Sequence, residues 1–187
     1  MITYVETTSP AIAYDLDEFK SFAMIPDSDF DAQKLPLHLK QATAEIEEIS
    51  YHLTTTRTIE ALLDNFPVSG VIELERFPLV SVASVTYYDE DGSEQTLNAS
   101  KYHVDTDSTP GRVVLKFSEV WPKIETGRPN AVKITFEAGY GATESDVPDR
   151  VKHAIYCLAR DRFQRLPMID QDTREQIDSI RWRFVYG

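Results

Sequence analysis

Val82-Ala83-Ser84-Val85-Thr86-Tyr87-Tyr88-Asp89-Glu90-Asp91-Gly92 is the stretch that decides the fold. Ala83, Val85 and Tyr87 alternate with Ser84, Thr86 and Tyr88, the period of a strand with one face buried. Asp91-Gly92 then supplies turn chemistry before Glu94 to Leu97, so the segment reads as a hairpin. Strand texture extends from it in both directions. Upstream, Ile72 and Leu74 alternate with Glu73 and Glu75, and Thr54-Thr55-Thr56-Arg57-Thr58 is β-branched. Downstream come Tyr102 and Val104, a Pro110-Gly111 turn, and the alternation Val113, Leu115, Phe117. Val132, Ile134, Phe136 and Ala138 form the last strand, closed by Gly139 and Gly141. Short strands at this spacing predict a small, mainly antiparallel sandwich or open barrel.

The flanks change period. Residues 15–24 read as a short helix capped by Asp15, with Leu16, Phe19 and Ala23 on one face. A second helix is expected over about 28–53, where Leu35, Leu39, Ala42, Ile46, Ile49 and Leu53 form one stripe. Pro36 either starts that helix proper or kinks it. After Asp146 as a cap and Pro148 in a first turn, Val151, Ala154, Ile155, Leu158 and Ala159 share a face until Leu166-Pro167. A last helix is expected over about 170–182, with Ile177 and Ile180 as its apolar contacts. Each helix is too narrow in its apolar face to stand alone. The expected fold is α+β: a discontinuous helical bundle from both chain ends, 1–53 plus 147–187, around a β insert at 54–146, in one integrated domain.

The chain has 187 residues, one cysteine and a formal charge of −12. Residues 147–187 carry eight Lys/Arg and six Asp/Glu, net +2, which leaves eleven basic and twenty-five acidic residues, net −14, in 1–146. So acidic a body is ill suited to grip phosphate backbones, which need clustered cations. The basic end could instead face an acidic partner, or the asymmetry could serve solubility alone. With Cys157 as the lone cysteine, no intrachain disulfide forms, which suits a reducing compartment. The start lacks a basic region followed by an apolar run, and no apolar stretch approaches the roughly 20 residues of a membrane helix. A soluble protein made in a cytoplasm, with no membrane partner, is expected.

Candidates for chemistry each have a structural explanation. His38, His52, His103 and His153 lie on different elements, without metal-ligand spacing, so no metal is expected. Cys157 sits mid-helix near the apolar face, with no base or cationic setting to make it a nucleophile. Asp89-Glu90-Asp91 belongs to a turn and Asp15-Leu16-Asp17-Glu18 to a helix start, where carboxylates are favoured. Gly139-Tyr140-Gly141 precedes a helix but lacks Gly-Lys-Ser/Thr, so it reads as a chain reversal rather than a phosphate loop. No catalytic residue and no cofactor is expected.

The chain end is different. Arg181-Trp182-Arg183-Phe184-Val185-Tyr186-Gly187 holds three aromatics in five residues, interleaved with arginines. Trp, Tyr and Arg are the types enriched at interface hot spots. The tail either folds back on its own helices or inserts into another subunit or protein. Arg174, Arg181, Trp182, Arg183, Phe184 and Tyr186 are the candidate docking residues.

Several segments, taken in order, resemble the head–tail connector (adaptor) proteins of tailed bacteriophages. Ala44-Glu45-Ile46-Glu47 followed by Thr55-Thr56-Arg57 resembles the family's passage from helix to strand. Leu63-Asp64-Asn65-Phe66-Pro67 and Ile72-Glu73-Leu74-Glu75-Arg76-Phe77-Pro78-Leu79 resemble its first β segment, and Val82 to Gly92 its hairpin. Tyr102-His103-Val104-Asp105, Trp121-Pro122, Phe136-Glu137-Ala138-Gly139-Tyr140-Gly141 and Val147-Pro148 follow. The match covers roughly 35–165. Thr56 stands where the family usually carries Gly before Arg57, and the extension after Leu166 has no counterpart motif.

The resemblance implies a non-enzymatic virion part. It would be a dodecameric ring below the portal protein, assembled in the host cytoplasm and seated at the virion neck. Packaged DNA would pass through without being gripped. The portal would sit above, a stopper or tail-completion protein below, and the C-terminal region would contact the portal. Two alternatives remain: another neck component, such as the stopper or tail-completion protein itself, or a small hydrolase-type enzyme using the β insert, which would need a cleft with two converging carboxylates.

Overall fold

A computed structural model describes residues 2–6, 14–26, 34–165 and 168–181. The fold is α+β, with four α-helices and two antiparallel sheets among the described residues. The chain divides into two compact units. One comprises Met1–Pro10 and Thr56–Gly139, the other Ala11–Thr55 and Tyr140–Gly187.

The first unit holds eight strands: β1 (Ile2–Glu6), β2 (Arg57–Leu63), β3 (Val71–Leu74), β4 (Leu79–Tyr88), β5 (Glu94–Thr96), β6 (Tyr102–Asp105), β7 (Gly111–Leu115) and β8 (Val132–Ala138). They form a five-stranded sheet, β1-β2-β8-β4-β5, and a three-stranded sheet, β3-β7-β6. Alternation is cleanest in β2 and β8. Ile59, Ala61 and Leu63, with Val132, Ile134, Phe136 and Ala138, are buried, while the residues between them face outward. The sheets approach closely at one point: a Cβ on Gly111 of β7 would lie 2.5 Å from the Cβ of Leu79 on β4.

Three expectations need correction here. Residues 2–6, counted with the helical flank, instead form the edge strand β1, paired with β2 from Ile2↔Leu63 to Glu6↔Ile59. Five residues with only Ile2 and Tyr4 turned partly inward give too short an alternation to announce a strand. In β4, Val85 is buried but Ala83 is exposed. Register shifts between Leu79/Ser81 and Val82/Ser84 change which residues face inward, because a one-residue slip flips the side chains to the other face. β7 ends at Leu115, and Phe117 lies beyond it, 99% exposed.

The second unit holds α1 (Leu16–Ala23), α2 (Leu35–Ser50), α3 (Asp149–Phe163) and α4 (Gln171–Ile180). Asp15 caps α1, accepting from the amides of Asp17 at 2.7 Å and Glu18 at 3.1 Å. Pro36 lies in the first turn of α2, so the helix starts there rather than kinking; residues 28–33 of the expected helix lie outside the described residues. α2 stops at Tyr51, whose left-handed φ of 60° ends the ladder. The next residues are not yet strand. Thr54 is buried, and its amide and hydroxyl donate to Glu47 at 2.8 and 2.6 Å.

The helices share one core, built on Phe19, Leu35, Leu39, Ile46, Ile155 and Leu158. Truncating one such leucine to alanine typically costs about 2–5 kcal/mol. Arg162 of α3 pairs with Glu45 of α2. The buried Asp161 accepts from the Asp170 amide at 3.0 Å, which pins the start of α4 to the end of α3.

Candidate functional site

The histidines, Cys157 and the acidic and glycine clusters weighed as candidates for chemistry have the following surroundings. His52 stacks on Tyr140 with ring centroids 5.7 Å apart, and its Nδ1 lies 2.7 Å from the tyrosine hydroxyl. Burial, and then the nearby Arg150, lower its pKa from 6.5 to about 4, so the ring is neutral near pH 7. Cys157 is buried with its Sγ 3.8 Å from Nδ1 of His153, a pairing one helical turn apart. Burial nonetheless pushes the thiol up to about 11, opposite to what a nucleophile needs. His38 packs edge-on to Phe163, and His103 is exposed on β6.

Asp89 accepts from the amides of Asp91 and Ser93 and from the Gln95 side chain, and these bonds hold its carboxyl below the usual range. It is a turn residue, as its sequence context predicts. Gly139, at φ 132°, donates to Pro78, and a Cβ on Gly141 would meet the Asp146 carboxylate at 2.3 Å, so this pair serves a chain reversal. Among the described residues no group of three or more His, Cys, Asp or Glu is placed to hold a metal ion. No helix among them is long and apolar enough to cross a membrane.

The candidate docking tail begins at the end of α4. Arg174 on the helix and Arg181 just after it are both exposed. Trp182, Arg183, Phe184 and Tyr186 lie outside the described residues.

Two surface features of the β unit escaped the sequence reading. The first is a set of exposed apolar loop side chains: Val68 and Phe117 are fully exposed and Val120 is 75% exposed. Val68 and Val120 share a groove with Trp121. Trp121 stacks on Phe66 with centroids 4.5 Å apart, and its indole N–H donates to Pro67 O at 2.9 Å. Trp121 therefore ties its loop to the segment at Phe66 and Pro67. The second feature is an open groove of about 870 Å³ beside β3, lined in part by Asp64, Glu73 and Glu75. Its residues come from three separate stretches of chain, so no single motif announces it.

No protein-family model matches the sequence, and neither does any curated protein. Solved structures do match, over nearly the whole chain. A chain from the neck of an empty gene transfer agent particle, computed with C6 symmetry, superposes with a TM-score of 0.79 at 23% identity, covering 99% of this chain and 98% of that one. This chain shares the fold of a gene transfer agent neck component. A chain in the neck of the native particle, with C12 symmetry, gives 0.76 at 23% identity over 99% and 98%. One in the virion of a native gene transfer agent gives 0.76 at 22% identity over 98% of each. At these identities the likeness establishes the fold alone.

Proposed function

We propose that this chain is a structural neck component of a tailed-phage-like particle: a head–tail connector that assembles as a ring below the portal and lets DNA pass. The observation that carries this is the fold match over 99% of the chain to components of gene transfer agent necks, whose maps have C6 and C12 symmetry. Three features support it. The ordered motifs over 35–165 resemble the connector family. The acidic body is suited to a channel that must not hold its cargo. His52, Cys157 and Asp89 occupy structural positions, which favours a non-enzymatic part.

In this reading a stopper or tail-completion protein binds the lower face, and the tail, through Arg174, Arg181, Trp182, Arg183, Phe184 and Tyr186, docks on another chain. The resemblance points to the portal as that chain. Mixing the purified protein with the portal of its particle and weighing the products by mass photometry tests the proposal. A multi-copy complex on the portal is expected; free portal and monomers alone would overturn it.

A further inference from the structure

Helix α1 meets the rest of the helical unit through an apolar face and a polar end. Phe19 and Ala23 seat it in the core, and Tyr156 of α3 packs on Phe19 and Phe22 with ring centroids 5.4 and 5.8 Å away. At the N-terminal end of α1 the Tyr156 hydroxyl donates to Asp15 O at 3.4 Å and to the Glu18 carboxylate at 3.3 Å. A second carboxyl group reaches the same place. Glu144, in the short 3-10 turn Glu144–Asp146 before α3, is in hydrogen-bonding contact with Glu18.

Two ionised carboxylates only accept hydrogen bonds, so such a contact needs a proton on one of them. Without it the pair repels. The surrounding charges give limited relief. Lys152 of α3 lies 3.9 Å from Glu144 but 3.4 Å from Asp149, so its charge is divided. Asp15 adds negative charge from the α1 side. Lys20 on α1 pairs with Asp17 at 3.7 Å, and Asp146 accepts from the amide and hydroxyl of Thr143. Arg150 and His153 line the pocket that Glu18 borders. The balance favours the protonated form: burial first, and then the contact with Glu18 and its charge, raise the pKa of Glu144 above the ordinary carboxyl value. Burial, and then Glu144 and Glu18, push the Tyr156 hydroxyl up as well, so it remains a donor.

We propose that Glu18 and Glu144 form a proton-operated latch: with Glu144 protonated, its O–H donates to the Glu18 carboxylate and fastens α1 to the turn before α3, and loss of that proton turns the bond into a repulsion. A carboxyl group whose folded pKa lies above its unfolded value stabilises most in acid, and its contribution is lost as pH rises through the folded value. The latch is therefore closed in acid and open near neutrality, where α1 is held by Phe19, Ala23 and Tyr156.

Glu144→Gln tests this, because the amide keeps the shape, donates to Glu18 at every pH and removes the charge. Thermal melts of the full chain, followed by circular dichroism, compare variant and parent at pH 4 and at pH 7.5. Comparison at the same pH cancels the contribution of other groups, His52 among them. The variant is expected to melt about 2–4 °C above the parent at pH 7.5 and level with it at pH 4. Amide exchange at Phe19, whose N–H donates to Asp15 O, should be slower in the variant at pH 7.5. Should Glu144→Gln fail to fold, Glu18→Gln carries the same expectation. An equal gain at both pH values, or no gain at either, would overturn the latch. A loss at pH 7.5, with a parent melting temperature lowered by EDTA, would show a metal cation bridging the pair in place of the proton and would overturn it as well.

Discussion

Arg57 and Glu6 form an ion pair at 2.8 Å in which the arginine side chain is only 4% exposed and the glutamate 41%. The pair straps the edge strand β1 to β2 at the first residue of β2. It also explains why a charged residue is tolerated in a strand whose alternate positions are buried. A guanidinium out of water needs a countercharge, and β1 supplies one.

Glu6→Gln is therefore expected to destabilise the β unit out of proportion to a surface change. Removing one carboxylate partner of a nearly buried cation costs up to about 3–5 kcal/mol in full burial, and the half-open glutamate reduces this to about 1–2 kcal/mol. Urea unfolding followed by tryptophan fluorescence measures it. An unchanged midpoint would show that the strap contributes nothing.

Gly111→Ala tests the packing of the two sheets. The new Cβ would stand 2.5 Å from both Cβ and Cδ2 of Leu79, so strand β7 or that leucine must shift. Overpacking of this kind costs typically about 1–3 kcal/mol. A lower melting temperature is expected, and Leu79→Ala should not relieve it, because the Cβ at 79 remains 2.5 Å away. If the alanine at 111 alone melts like the parent, the sheets are not in contact there.

His52 predicts a pH dependence. Its folded pKa of about 4 lies below the ordinary 6.5, because burial and then Arg150 disfavour the charged ring. Between those values the unfolded chain takes up a proton that the folded chain refuses, so stability falls as pH drops from about 6.5 to about 4 and levels off below. Tyr140, stacked and hydrogen-bonded to the ring, is the other titratable partner, and its own pKa is raised by burial. His52→Phe keeps a ring for the stack and removes the titration. Its stability profile over this range should be flatter than the parent's; equal slopes would exclude His52 as the cause.

Removing residues 181–187 isolates the tail from the fold. The last described core contact of α4 is Ile180, which is buried, whereas Arg181 is exposed. The truncated monomer is expected to keep its circular dichroism spectrum and melting temperature but to lose assembly on the portal. Unimpaired assembly would remove the tail from the docking account.

Much of this fold is legible in the residues themselves. Asp15, the stripe from Leu35 to Ile49, and the paired strands β2 and β8 carry local signals strong enough to read, because caps and periodicity are properties of neighbouring residues. The sheet order is not local. β8 lies between β2 and β4, pairing Arg57 with Ala138 and Leu79 with that same Ala138, and no spacing in the sequence announces this. β1 is invisible for the same reason, since its partner lies more than fifty residues away. The tail stood out because aromatic and arginine residues cluster in one short segment. The groove beside β3 did not, because Leu63, Asp64, Glu73 and Glu75 read as ordinary strand and turn residues until folding gathers them around it.

The most direct test of the neck assignment is a cryo-EM map of the particle's head–tail junction. The account predicts a ring of copies of this fold, strands and helices both recognisable, seated between the portal and the next neck protein with an open channel on its axis. A junction whose rings are all built from other chains, with this fold absent or placed elsewhere in the particle, would contradict it.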